Sequence, residues 1–177
     1  MKVLKIGITG KMGSGKSSLT KILKEQENCY VISFSSVIRK TLISLDLVPT
    51  RELMQATGDF FRDYDKLVWV RQLLKEVKDV TNNVIIEGIR YGFERDELAS
   101  HGFKIIKVSS SNDIRRKRIA DRNNISIDDQ TWSIWQNHPT EVYVDQIVTD
   151  YTVDNNDSIQ DLKQKILAIL NELKKSH

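Results

Sequence analysis

Residues 10–17 read Gly-Lys-Met-Gly-Ser-Gly-Lys-Ser and follow directly on the apolar run Val3 to Ile8. This G-x-x-x-x-G-K-S spacing constrains the fold more than any other stretch, because it demands a strand before it and a helix after it. Gly10, Gly13 and Gly15 let the backbone turn tightly, so that the N–H groups of Met12 through Ser18 converge on a phosphate chain that a Cβ would obstruct. Ser17 to Glu25 then reads as a helix whose positive N-terminal end points at the same phosphates. Lys16 is expected to reach the β- and γ-phosphates of ATP, and the Ser17 hydroxyl to ligate Mg²⁺. Gly10, Met12, Gly13, Ser14, Gly15, Lys16, Ser17 and Ser18 form the expected triphosphate cradle.

The remaining apolar runs carry the architecture. Short β-branched stretches recur at Tyr30 to Phe34, Val84 to Ile86, Ile105 to Val108 and Tyr151 to Val153. Helical periodicity lies between them, at Ser36–Leu45, Arg51–Phe61, Leu67–Val77, Glu94–Ala99 and Asp113–Arg122, and again at Ile159–Leu173. Strands alternating with helices require parallel crossovers. The expectation is therefore an α/β fold of three layers, an open and mainly parallel five-stranded sheet with helices on both faces. A chain of 177 residues suits one such domain. Ligands bind such sheets beyond the C-terminal strand ends, where the glycine loop already lies.

Two further segments gain meaning from that placement. Val84-Ile85-Ile86-Glu87-Gly88-Ile89-Arg90 is a buried-strand pattern ending in an acid, a glycine and an arginine. Glu87 at the strand tip is the candidate second metal ligand, and the planar fork of Arg90 suits a phosphate on a second substrate. Arg115, Arg118 and Arg122 recur at helical spacing and so share one face, ahead of the polar stretch Asn123 to Gln130. That arrangement reads as a mobile lid over about 115–130, with Arg122 as its foremost cation. Lids serve phosphoryl transfer by bringing cations to the transferring group and excluding water. Trp69, Trp132 and Trp135 read as packing residues.

Composition narrows the classes. The chain is 40% apolar and 29% charged, and no apolar run approaches the ~20 residues that span a bilayer. A membrane role is not expected. The single cysteine, Cys29, allows no internal disulfide and favours a cytoplasmic setting. A formal charge of +3, without a dense basic block, favours small anionic substrates over nucleic acid.

Taken together, the glycine loop, Ile32-Ser33-Phe34-Ser35-Ser36-Val37-Ile38-Arg39 and Lys117-Arg118-Ile119-Ala120-Asp121-Arg122 resemble the nucleoside monophosphate kinase branch of the P-loop kinases. Arg51-Glu52-Leu53-Met54-Gln55 with Gly58, Arg62 and Trp69, Ile89-Arg90-Tyr91 with Glu94, His138-Pro139-Thr140-Glu141 and Asp154-Asn155-Asn156 are most similar to phage-type deoxynucleoside monophosphate kinases. The resemblance implies that Arg39, Arg62 and Arg90 hold the acceptor phosphate. It also implies that Arg118 stacks on adenine, that Asn155 joins the nucleotide-binding set and that Arg122 contacts the transferring phosphate. The implied catalytic group is Lys16, Arg118, Arg122 and Glu87. Dephospho-CoA kinases are similar but carry an acidic motif where this chain has Ser33-Phe34-Ser35-Ser36. Animal-type phosphomevalonate kinases show a comparable pattern around Gly58 to Arg62 and Glu141. A nucleotide-dependent switch or binding module is the remaining alternative.

Overall fold

The computed structural model describes residues 3–175. Five strands form one sheet: β1 (Lys5–Thr9), β2 (Cys29–Ser33), β3 (Asn83–Ile89), β4 (Lys104–Ser109) and β5 (Tyr151–Asp154). Their spatial order is β2-β3-β1-β4-β5 and every neighbouring pair is parallel. All five strands coincide with the apolar runs of the sequence, their ends differing by at most three residues. The order doubles back at β1, so the chain leaves the sheet on both sides of β1 and a crevice opens beyond its C-terminal end.

Side chains alternate across the sheet and build two cores. Val84 and Ile86 of β3 and Ile105 of β4 face α2 (Phe34–Ser44), α4 (Val68–Val77) and α5 (Gly92–Ser100), where Val37, Trp69, Leu73 and Leu98 close the layer. Ile85 of β3, Ile6 and Ile8 of β1 and Ile106 and Val108 of β4 face α1 (Lys16–Gln26) and α9 (Ile159–Lys175), meeting Leu19, Leu23, Ile166 and Leu170. The three-layer expectation holds. Central β3 is apolar on both faces, which is why it reads as a continuous hydrophobic run.

α3 (Arg51–Tyr64) differs from the other helices. Thr50 caps it through the Leu53 N–H, yet Gly58 is its one buried residue. The Trp69 indole N–H, itself buried, donates to the Gly58 carbonyl at 3.0 Å and ties α3 to α4.

The segment read as a lid is built otherwise than expected. α6 (Asn112–Asn123) ends where Asn124 takes the left-handed conformation, and residues 125–128 lead into α7 (Asp129–Gln136) and then α8 (Pro139–Gln146). Only 125–128 is irregular, and it is pinned: Ile127 is buried with Ile119 and Trp132, and the Arg116 guanidinium holds the Ile127 carbonyl and the Asp129 carboxylate. The polar composition of Asn123 to Gln130 hid one inward apolar side chain and a helix start. That start was marked in the sequence, since Asp128 caps α7 by accepting from the Thr131 N–H at 2.8 Å and Pro139 occupies the first turn of α8.

Ile85 is fully buried between β1 and β2, against α1 and α9. Ile85→Ala is expected to lower the unfolding free energy by about 2–5 kcal/mol, measured by urea titration, with an unchanged m-value.

Candidate active site

The loop between β1 and α1 has the backbone that the glycines promised. Gly15 precedes α1 at φ 102°, and a Cβ there would lie 2.0 Å from the Asn155 amide nitrogen. Gly10 likewise leaves no room, since a Cβ would come within 2.5 Å of the Val108 carbonyl. No side chain caps the N-terminus of α1, whereas α2, α3, α6, α7 and α8 are all capped by one. The first-turn N–H groups of α1 therefore face outward into the crevice, the arrangement that anions occupy. A triphosphate fits this cradle.

Asn155, just after β5, is buried and stabilises the loop from behind. Its side-chain amide donates to the Ser14 carbonyl at 2.8 Å, while its own carbonyl accepts from the Ser110 hydroxyl at 2.7 Å and from Arg118 at 3.0 Å. Asn155 thus stands behind the loop as a brace, and Arg118, hydrogen bonded also to the Ser110 hydroxyl at 3.1 Å, is fastened to the same corner.

Lys16 bends back along the loop, donating to the carbonyls of Gly10 at 2.8 Å and Lys11 at 3.0 Å. Burial of its ammonium, reinforced by the neighbouring Arg90 charge, lowers its pKa to about 7. Glu87 lies at the strand ends in register with Ile8 of β1 and Ser33 of β2, and its carboxylate accepts from the buried Thr20 hydroxyl of α1. Ser17 and Glu87 both face the same crevice, giving two oxygen donors. Among the described residues there is no group of three or more metal-binding His, Cys, Asp or Glu side chains.

That crevice is a cleft of about 410 Å³ bounded by the loop, the tip of β3, the start of α2 and one side of α3. Lys16, Ser17 and Glu87 line one wall; Arg51, Arg62 and Arg90 line the rest, with Met54 and Ile38 as its apolar floor. Arg62 is oriented by Glu94, whose carboxylate sits 3.0 Å from two of its nitrogens, and by the face of Tyr91 at 5.1 Å. Glu94 is completely buried, accepts also from the Arg90 N–H at 2.9 Å, and has its pKa raised by desolvation, which outweighs the opposing pull of Arg62. Arg90 is gripped by Glu141 of α8 at 2.6 Å. A second cleft of about 420 Å³ continues past Arg51, Gln55 and Arg90 to Trp135, His138 and Glu141. The Arg51 guanidinium lies 5.5 Å from the Trp135 ring.

Three sequence expectations need correction. Arg39 is exposed on the outer side of α2 and is not among the lining residues; the helix turns Val37 and Ile38 inward and Arg39 away, and Arg51 of α3 supplies the cation instead. Arg115, Arg118 and Arg122 share a helix face but not an environment. Arg115 is 2% exposed beneath the Trp132 ring, with its guanidinium on the Met12 carbonyl and the Asn112 side chain, so it is a packing cation. Arg122 is exposed at the end of α6 and makes no hydrogen bond or ion pair among the described residues. Trp135, expected to be buried, is a half-buried wall of the second cleft. Arg51, Glu94 and Glu141 were not singled out as site residues from the sequence, although Arg51 opens a capped helix next to Gln55, where its reach toward a strand-end crevice could have been inferred.

The comparisons with known proteins agree with this geometry. The AAA domain pattern matches residues 6–143, from β1 to α8. The chain belongs to that family. It is also 30% identical over 179 residues to a UPF0200 protein of Methanococcus vannielii, with 95% of each chain covered. Among solved structures, it is similar to a gluconokinase from Sinorhizobium meliloti at TM-score 0.64 and 16% identity, covering 98% of this chain and 94% of the other. It is likewise similar to a shikimate kinase from Aquifex aeolicus at TM-score 0.61 and 15% identity, covering 98% of this chain and 100% of the other. This AAA-family chain therefore has a kinase-like P-loop fold, and no helix among its described residues is long and apolar enough to cross a membrane.

The lowered pKa of Lys16 has a direction that can be tested. Above pH 7 the amine is largely neutral, and a polyanion at the loop favours the ammonium, so binding draws a proton from solution. Tripolyphosphate binding at pH 8 is expected to show an enthalpy that varies with the ionisation enthalpy of the buffer in the sense of proton uptake. The variation disappears in Lys16→Arg, whose side chain stays charged.

Proposed function

We propose that this chain is an ATP-dependent phosphotransferase whose acceptor is a small phosphorylated molecule, foremost a nucleoside or deoxynucleoside monophosphate. The observation that carries the reading is the two-sided cleft: Lys16, Ser17 and Glu87 stand on one wall, with Arg51, Arg62 and Arg90 around the other. Three guanidiniums in one cleft are more cationic than a hydroxyl acceptor such as a sugar requires, and their planar forks match phosphate oxygens. Binding both phosphates in one cleft converts a bimolecular encounter into an oriented one, and that orientation supplies much of the rate.

In this reading, the loop N–H groups and Lys16 hold the β- and γ-phosphates, and the lysine stabilises charge that develops as the γ-phosphoryl group moves. Ser17 and Glu87 are the side chains that would hold Mg²⁺, a hard cation that takes oxygen donors and usually keeps several waters. A cation held there would supply neutralisation of the phosphate charge. Arg62, fixed by Glu94, and Arg90 place the acceptor phosphate in line. A phosphate acceptor is already ionised and needs no general base. A hydroxyl acceptor would need one, and Ser33-Phe34-Ser35-Ser36 offers no carboxylate while Glu87 is assigned to the metal. This weighs against a dephospho-CoA kinase. Arg122 is assigned to the transferring phosphate only in a closed form in which α6 and its following turn approach the cleft. Adenine is assigned to the corner of Arg118 and Asn155.

Acceptor-dependent ATP consumption, scanned over nucleoside and deoxynucleoside monophosphates, dephospho-CoA and phosphomevalonate, tests the assignment. Turnover is expected with at least one nucleotide; hydrolysis independent of every acceptor would instead support a nucleotide-dependent switch. Lys16→Ala is expected to lower kcat by a factor on the order of 10²–10³ while the folded fraction is retained, as circular dichroism would report. Arg62→Lys is expected to raise the acceptor KM by about tenfold with the donor KM unchanged, because the ammonium cannot reproduce the planar fork.

A further inference from the structure

The second cleft, of about 420 Å³, takes no part in holding either phosphate. It shares Arg51, Gln55 and Arg90 with the first, so the two form one groove running from the strand ends to the corner of α7 and α8. Arg118 and Asn155, the corner assigned to the donor adenine, do not line it. Trp135 is half-buried in its wall and packs against Ile119, Ile127 and Trp132, which hold the indole in place. The Arg51 guanidinium lies over that ring. Gln55 of α3 and the Nε2 of His138 meet side chain to side chain within the same cleft. The other ring nitrogen of His138 accepts from the Thr140 N–H at 3.3 Å and lies 2.8 Å from the Thr140 hydroxyl, so the imidazole is fixed with Nε2 directed at α3.

The chemistry of this lining differs from that of the phosphate cleft. Glu52 and Glu141 both line it, and Arg90 is already paired with Glu141, so a second anionic group gains little there. An indole and a guanidinium both present flat faces on which a planar π-system stacks. The Gln55 amide both donates and accepts, and His138 adds one ring nitrogen; paired with each other they are satisfied, and a ring edge of matching polarity can replace each partner. We propose that the second cleft is the subsite for a planar heterocyclic ring of the acceptor, which stacks on Trp135 and is read along its polar edge by Gln55 and His138. The acceptor phosphate stays with Arg62 and Arg90, and Arg51, common to both clefts, stands where ring and phosphate are joined. This rests on the reading of a phosphorylated acceptor given above and narrows it to molecules that carry such a ring.

Calorimetric titration of the full chain with nucleoside monophosphates and with ribose 5-phosphate, which has the phosphate and sugar but no ring, tests the subsite. Mg²⁺-tripolyphosphate at saturation keeps the nucleotides off the glycine loop. At least one nucleotide is expected to bind about tenfold or more tightly than ribose 5-phosphate. Trp135→Leu is expected to remove that advantage while ribose 5-phosphate and tripolyphosphate bind as before. A merely structural tryptophan predicts equal losses for all three, and that result overturns the proposal. Gln55 is exposed on α3, so Gln55→Ala decides the matter even if the tryptophan variant does not fold. The preferred nucleotide is expected to lose about tenfold in affinity with ribose 5-phosphate unchanged, and no loss, or a loss shared by both, overturns the edge contact and the subsite with it. Equal binding of nucleotides and ribose 5-phosphate by the natural chain refutes the ring subsite alone. Binding of neither refutes the phosphorylated-acceptor reading and the subsite together.

Discussion

The hydrogen bond from the Asn155 amide to the Ser14 carbonyl joins residues 141 positions apart and holds the site's geometry together. The glycine loop can turn its N–H groups into the crevice only if its carbonyls find partners on the other side. Asn155 supplies one of them from the end of β5, Ser110 supplies another from beyond β4 by donating to the same carbonyl at 3.2 Å, and the Lys16 ammonium takes two more. Each belongs to a different strand end. The loop's shape therefore depends on the completed sheet, and a chain lacking β5 would keep the motif but not its conformation.

Charge is distributed with the same economy. Cations crowd the cleft, and those nearest to one another are separated by acids placed on neighbouring elements: Glu94 from α5 on Arg62, Glu141 from α8 on Arg90, Asp145 on Lys11. Glu94 and Glu141 are almost wholly buried, so each would be costly if its arginine were removed. These acids fix where the guanidiniums point, which for a planar donor is as important as its presence. Lys16 has no carboxylate within hydrogen-bonding distance among the described residues, which is consistent with its depressed pKa.

Much of this was legible in the chain. The five strands, their parallel order and the glycine loop follow from local pattern, because each short β-branched run and each glycine at a left-handed position has few alternatives. Glu87, Arg62 and Arg90 were legible because they sit beside such patterns, and all three line the cleft. The failures share a cause. Arg39 was placed by the resemblance and Arg115 by helical spacing, and neither tells which face of a helix turns inward. α7 and α8 are eight residues each, too short for periodicity to stand out, and only their caps betray them. Arg51, Glu94 and Glu141 act through partners 32 to 51 or more residues distant, or through a ring on another helix, and no local spacing encodes such meetings.

The attachment of α3 has one more consequence. Its single buried residue is a glycine, and its tether to the next helix is an indole hydrogen bond, whereas β3 contributes to both cores and β1 and α1 are packed deep into one of them. Arg51, Gln55 and Arg62, the side chains that would discriminate among acceptors, all belong to this lightly held helix. Sequence change at Arg51 or Gln55 perturbs few packed neighbours, whereas Arg62 is bound to the buried Glu94. In the proposed reading, donor chemistry would thus be written into the part of the molecule least free to vary and acceptor choice into a more lightly packed part, so that one scaffold could drift between substrates without rebuilding its phosphate machinery.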